Sequence, residues 1–315
     1  MDSLVKFFAS KISLQYQKED YRMVFEPITP AHRETVERIR RTWDAGTCSS
    51  HAFQSLYLWQ HVMQLTIHAE DDFFAVRIRR NGENCWFMPC GNPEKILRFL
   101  DSLRQKGSFR LYYVQTDEMR FLKESLPFTL TFRQDRDAWE YLYDTAEQCR
   151  AEGSRFSQIR YVMNRLKRLY QTEIRPLTPE TAGDAEQVIR AWSAHKGISF
   201  DRHEGDVTEA CTVIREQKML SSAGVIVYLD GIPSAVSAGF PISADTFDLC
   251  LYKQSIRERG LGFLSFHALN QQAAGSFRFV NLEEDLGIPG IREHKLRLRP
   301  AGFTEMWEAI YEPSE

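Results

Sequence analysis

The chain has 315 residues, 43% hydrophobic and 26% charged, with 40 Lys and Arg against 43 Asp and Glu for a formal charge of −3. That length suits two domains of ordinary size or one large one, and the composition excludes a globally disordered chain. The near-zero balance excludes nucleic-acid binding by overall charge and leaves that role to a local basic patch.

Residues 1–20 form a polar and aromatic leader, and 21–28 have the pattern of a first strand, closed by Pro27 and Pro30. Charged residues alternate with Val36, Ile39 and Trp43 at helical spacing, so 30–43 is expected to be a helix. The runs 73–78 and 85–88 flank Asn81-Gly82, whose tolerance of positive φ suits a tight hairpin. After Cys90-Gly91-Asn92-Pro93 comes an amphipathic helix through Ile96, Phe99, Leu100 and Leu103, then a strand at 110–114. The second half repeats this order without repeating the residues. Strands 225–229 and 232–240 flank Asp230-Gly231, and a further strand occupies 246–252. A glycine loop, a helix over 261–274 and a strand over 277–281 follow. A boundary falls in the polar run near 133–145, dividing a domain at 21–135 from one at 136–315.

Six cysteines in a chain this long make no dense disulfide framework and read as free thiols of a reducing compartment. The longest weakly charged stretch, 221–240, is broken by Asp230-Gly231 and Pro233 and reads as two strands, so no membrane span is expected. With no secretory cleavage pattern at the start, a cytoplasmic location is expected. His61 and His68, with Cys85 and Cys90, match no zinc spacing, so no metal is expected.

Two segments carry chemistry. In Arg257-x-x-Gly260-x-Gly262, between a strand and a helix, glycines let backbone N–H groups approach a diphosphate. The helix N-terminus and the charges of Arg257 and Arg259 add to that anion cradle, although many such loops merely turn the chain. The second segment is the acidic run Glu283-Glu284-Asp285 directly after a strand, where like charges repel and at least one needs a cation, a hydrogen bond or a raised pKa. By its residues alone it is either a solvated strand end before a helix or a general base or amine-binding acid. The helix over 154–170 puts Ile159, Val162, Met163, Leu166 and Leu169 on one face, with Arg160, Asn164, Arg165, Lys167 and Arg168 elsewhere around it.

The glycine loop in its setting resembles the pyrophosphate loop of the acyl-CoA N-acyltransferases of the GNAT superfamily. Residues 283–292, then Lys295 and Pro300, resemble the signature of the bacterial DUF2156 family, also called the phosphatidylglycerol lysyltransferase C-terminal domain family. Residues 160–170 are similar to that family's basic helix, with Tyr161 where Asn is common, and Phe53, Leu56, Tyr57 and Trp59 match its N-terminal aromatic pattern. The resemblance implies an α/β (α+β) chain of tandem GNAT-like domains, each a mixed, mostly antiparallel sheet flanked by helices. The first lacks the Arg-x-x-Gly-x-Gly pattern and is expected to be degenerate.

It further implies acyl transfer to an amine or hydroxyl, with acetyl-CoA or another acyl-CoA as donor and a small molecule, peptide or lipid head group as acceptor. The donor is then held by strand backbone around Leu251 and by Arg257, Arg259, Gly260, Leu261 and Gly262. Glu283, Glu284 or Asp285 serves as base, Tyr252 as acid, and Arg160, Asn164, Arg292 and Lys295 meet the acceptor. The family's other branch implies an aminoacyl-tRNA donor and a lipid or peptide acceptor, supported by the basic helix and by Arg292, Lys295, Arg297 and Arg299; the intact loop favours CoA. A catalytically silent binding module is the reading from another class.

Overall fold

The structure is a computed structural model that describes residues 23–43, 48–80, 83–202 and 205–313. The leader and the Asn81-Gly82 turn lie outside these residues. The described chain divides into two compact units, one made of 23–43, 59–136 and 305–313, the other of 48–58 and 137–304.

In the first unit the helical spacing at 30–43 gives helix α1 (Arg33–Thr42), which buries Val36 and Ile39. The segment before it makes one isolated bridge, Glu26 to Ile67, in place of the expected strand. Pro27 and Pro30 lack the amide donors that a ladder requires. Strands β1 (Leu65–Ala69), β2 (Phe73–Arg80) and β3 (Glu83–Phe87) are antiparallel neighbours, and the short β4 (Cys90–Gly91) also pairs with β2. Helix α2 (Pro93–Arg104), capped by the Asn92 side chain, then crosses to β5 (Phe109–Gln115), which lies parallel to β3. After β6 (Thr131–Gln134) the chain leaves this unit. Phe73, Phe99, Leu100 and Leu111 fill its core.

The second unit repeats that plan. Its strands are β7 (Glu140–Asp144), β8 (Thr172–Pro176), β9 (Ala223–Leu229), β10 (Ile232–Pro241), β11 (Thr246–Gln254), β12 (Phe279–Asn281) and β13 (Gly302–Thr304). They lie in the order β13-β7-β12-β11-β10-β9-β8. Asp230 and Gly231 both take positive φ, 51° and 81°, as a tight turn between β9 and β10 requires. Helix α3 (Ser157–Leu169) buries the apolar face read from the sequence, except that Leu169 is exposed. Helix α4 (Leu261–Ala273) connects β11 to the parallel β12 and packs Phe266 and Leu269 against Phe247, Leu249 and Val280. Helix α5 (Pro289–Arg297) follows the acidic run. The expected mixed, mostly antiparallel sheets flanked by helices are therefore present in both units.

The last strand, β14 (Met306–Tyr311), returns to the first sheet and lies between β5 and β6. Correspondingly, β7, which follows the first unit in sequence, lies between β12 and β13 of the second sheet. No helix among the described residues is long and apolar enough to cross a membrane. Because β14 is hydrogen-bonded on both sides and buries Met306 and Ala309 completely, a chain truncated after Thr304 is expected to lose the folded first unit. The loss would register as missing near-ultraviolet circular dichroism and as protease cleavage within 59–136; a truncated chain that keeps its full signal and resistance would contradict this topology.

Candidate active site

Strands β11 and β12 pair at only three positions, Thr246 with Phe279, Phe247 with Val280 and Asp248 with Asn281. Beyond Asn281 the pairing with β11 stops, while that with β7, already made by Phe279–Asn281, runs on. The Leu282 amide donates to the Tyr141 carbonyl at 3.0 Å, and the Tyr141 amide donates to the Glu283 carbonyl at 3.4 Å. Meanwhile β11 continues on β10 as far as Gln254. The two parallel strands therefore part, and the acidic run begins where they do. A bulge sits at the same level: Phe240 pairs with Asp248 and Ala238 with Leu251, so β11 carries one extra residue there. Gly239 lies within it, and a β-carbon at that position would stand 1.7 Å from the Asp248 carbonyl oxygen.

The acidic residues differ sharply in what they touch. Asp285 is fully buried and takes four donors. Arg292 grips both oxygens at 2.8 Å, the Tyr141 hydroxyl donates at 2.5 Å and the Gly287 amide at 3.0 Å. Burial alone would raise its pKa, but these bonds outweigh burial and hold it well below the usual carboxylate range. Glu283 is half-buried, sits in the left-handed region at φ 53°, and among the described residues no side chain donates to its carboxyl. Burial, then repulsion by Glu284, pushes its pKa up to about 8 against the pull of Lys295. Glu284 is also half-buried.

Two further carboxylates share this ground. Glu140 is buried and accepts from the Ser49 amide, from the Ser49 hydroxyl at 2.6 Å and from the Asn281 amide side chain at 2.6 Å. Burial still raises it to about 7. Asp248 is fully buried with neither carboxyl oxygen hydrogen-bonded among the described residues, and burial followed by repulsion from Glu283, Glu140 and Glu284 drives its pKa far up. Asn281 also accepts from the Glu283 amide at 2.7 Å, tying the turn to the strand end.

Helix α5 supports the turn from one side. Besides holding Asp285, Arg292 reaches Asp137 at 2.7 Å. The Lys295 ammonium donates to the carbonyls of Leu282, Glu283 and Glu284 at 2.5, 3.1 and 2.5 Å. Both basic residues are thus engaged by the protein's own groups. His294 Nε2 lies 3.3 Å from the Tyr252 hydroxyl, and their rings stack at 5.6 Å. Burial lowers the His294 pKa and raises that of Tyr252, which favours a neutral imidazole beside an intact phenol.

The glycine loop is closely packed. Gly260 has φ 101°, and a β-carbon there would lie 2.5 Å from the Val162 carbonyl of α3. At Gly262 it would lie 2.5 Å from Gln254 Nε2 and 2.8 Å from the Tyr252 hydroxyl. Gly260, Leu261 and Gly262 are all buried, with the Gln254 and Tyr252 side chains against Gly262. Glu258, inside the loop, pairs with Arg165 at 2.9 Å and accepts from Tyr170 at 3.1 Å. Arg257 and Arg259 are exposed and form no ion pair among the described residues. Leu251 is buried on β11. On α3, Arg160 donates to the carbonyls of Ala151 and Gly153, while Asn164 is exposed. Among the described residues no cluster of His, Cys, Asp and Glu side chains is arranged to hold a metal ion.

Sequence reasoning did not single out Asp248, Glu140 or the pairing of His294 with Tyr252. Asp248 did leave a trace, as the single charge in the otherwise uncharged run 246–252. Glu140 left none, since its partners Asn281 and Ser49 lie 141 and 91 positions away.

A model of the family described as phosphatidylglycerol lysyltransferase, C-terminal, matches residues 45–309. A search of curated proteins found no match. Among solved structures, a conserved protein of unknown function from Bacteroides thetaiotaomicron VPI-5482 is 23% identical with a TM-score of 0.82, over 92% of this chain and 100% of that one. The C-terminal DUF2156 domain of an Agrobacterium fabrum protein assigned as a lysylphosphatidylglycerol synthetase is 14% identical with a TM-score of 0.66, over 90% and 93%. L-PGS from Bacillus licheniformis is 13% identical with a TM-score of 0.64, over 93% and 95%. At these identities the likeness establishes the fold.

The grip on Asp285 yields a stability test with a definite sign. Its folded pKa lies below the unfolded carboxylate value near 4, so folding favours the charged form. That stabilisation is complete above about pH 4 and is lost as the pH falls through the folded value. Asp285→Asn is expected to cost about 3 kcal/mol at neutral pH, as when one partner of a buried ion pair is removed, and less in acid. Denaturant unfolding at neutral and acidic pH checks this; an equal loss at both would refute the charge state.

Proposed function

We propose that this chain, which belongs to the phosphatidylglycerol lysyltransferase C-terminal family, transfers an acyl group from an activated carrier to an amine or hydroxyl, acting from the cytoplasm. The observation that carries the reading is the parting of β11 from β12 beside Glu283, which is half-buried and, among the described residues, receives no side-chain hydrogen bond at its carboxyl. Unpaired backbone on β11 offers the donor a strand edge to lie against, and the donor's carbonyl then points into the gap. The attacking N–H or O–H bonds to the carbonyl carbon while Glu283 removes its proton. The tetrahedral adduct collapses, the bond to the carrier breaks, and the carrier oxygen or sulfur leaves with a proton from Tyr252, to which His294 lies adjacent. Of the three consecutive acids, Glu283 suits the base because it is only partly buried and its pKa is pushed up to about 8, whereas Asp285 is committed to Arg292.

For the donor, an aminoacyl ester of tRNA is the favoured reading. Family membership supports it, and so does the packing of the Gln254 and Tyr252 side-chain ends against Gly262 at the start of α4. A high-pKa phenol also suits an alkoxide leaving group, which must be protonated as it departs, better than a thiolate, which need not be. Acyl-CoA is the second reading, supported by the exposed, unpaired Arg257 and Arg259 beside the loop. The acceptor named by the family is a lipid, and a lipid or peptide hydroxyl or amine fits the same base.

Replacing Glu283 by Gln is expected to lower turnover about a hundredfold to ten-thousandfold while leaving donor binding intact. In the unaltered protein the rate should rise with pH through about 8, because the base acts only when ionised. Undiminished turnover in the variant would remove Glu283 from the mechanism. Thermal shift decides the donor, since a ligand of the native state must raise the melting temperature. Lysyl-tRNA is expected to do so and acetyl-CoA not; the reverse result selects the CoA reading. A response to neither, with no turnover, identifies a silent binding module.

A further inference from the structure

A carboxylate can serve as a base only if the turn that presents it keeps its shape, and this turn is unusual. Glu283 and Leu286 both hold positive φ, 53° and 55°, a region that non-glycine residues rarely enter without support. The carbonyls of Leu282, Glu283 and Glu284 converge within this stretch, and convergent carbonyl dipoles repel unless a donor stands at their focus. Lys295 stands there. It occupies α5, is nine-tenths buried, and donates to all three oxygens. A neutral amine has only two N–H donors, so satisfying three carbonyls requires the ammonium form.

We propose that Lys295 is the positioning residue for the base, its ammonium pinning the three carbonyls of the Leu282–Glu284 turn and placing a fixed positive charge beside the Glu283 carboxylate. This rests on Glu283 being the base. The other charged or titratable groups that face Glu283 are Glu140 on β7, Asp248, Cys250 and Lys253 on β11, and Glu284 in its own turn. Most of these disfavour a second negative charge, and Lys295 and Lys253 oppose them. Removing the Lys295 charge therefore leaves Glu283 harder to ionise.

The test reads Glu283 directly. With glutamate carboxyls labelled with carbon-13, the resonance that disappears in Glu283→Gln belongs to Glu283, and its titration is followed by NMR without reference to turnover. Lys295→Met removes the charge and keeps the stem. Its Glu283 midpoint is expected to move up by about one pH unit or more, with kcat falling more than KM. Lys295→Arg keeps the charge and is expected to leave the midpoint near that of the unaltered protein. An unmoved midpoint in folded Lys295→Met overturns the proposal. Should Lys295→Met fail to fold, Lys295→Arg decides: a midpoint that stays put supports the role, and one that rises despite the retained charge overturns it. A rate profile that ignores the measured midpoint would instead remove Glu283 as base, a separate failure from that of the Lys295 assignment.

Discussion

The loss of the β11 pairing after Asn281, with the β7 pairing kept, shapes the acidic turn of the second unit. For three residues β12 pairs with β11 on one edge and β7 on the other; then only the β7 edge continues, at Tyr141, and the sheet opens on the β11 side. A buried backbone group without a partner is costly, so such a gap persists only when the departing strand is satisfied elsewhere. Tyr141 supplies that satisfaction because β7 flanks β12 and pairs with it in antiparallel register. The bulge in β11 works in the same direction, bending that strand at Asp248 just where its neighbour leaves.

The chemistry of the gap follows from how many donors each acid has. Burying an isolated carboxylate costs several kcal/mol after relaxation, so each group is either solvated by protein donors or discharged. Asp285, with Arg292, Tyr141 and Gly287, stays ionised. Glu140, held by neutral donors from Ser49 and Asn281, rises to about 7. Asp248, with none, is driven furthest toward the neutral acid. Glu283 is the one among them that combines a raised pKa with only partial burial and, among the described residues, no side-chain donor to its carboxyl. Positions 283 and 285 are two apart in sequence and shift in opposite directions, because Asp285 has donors that outweigh burial and Glu283 does not.

That contrast marks where sequence ran out. Alternating apolar patterns and the Asp230-Gly231 turn were enough to read β9, β10 and β11, and helical spacing was enough to read α1, α2 and α4, because these elements are fixed by neighbours close in the chain. The acidic run stood out as a run. Its internal division of labour did not, since Tyr141 lies 144 positions from Asp285. The exchange of final strands was equally hidden: β14 follows the second unit in sequence but completes the first sheet, and no linear boundary expresses that. The His294 and Tyr252 pair was invisible for the same reason, with 42 positions between them.

The glycine loop holds a subtler lesson about motifs. Gly260 adopts φ 101° and lets α4 start within touching distance of the Val162 carbonyl, while Gly262 makes room for Tyr252 and Gln254. Gly260, with its positive φ and the Val162 backbone against it, is required by the packing of this protein whether or not a phosphate ever binds there, whereas Gly262 meets only the ends of two side chains. The spelling Arg-x-x-Gly-x-Gly therefore does not by itself separate a diphosphate cradle from a closely packed helix start, because both need the same absent side chains. The discriminating features are what lies over the helix N-terminus and where the charges point. Here the ends of Tyr252 and Gln254 lie against Gly262, Glu258 brings a carboxylate into the loop, and the two arginines are exposed.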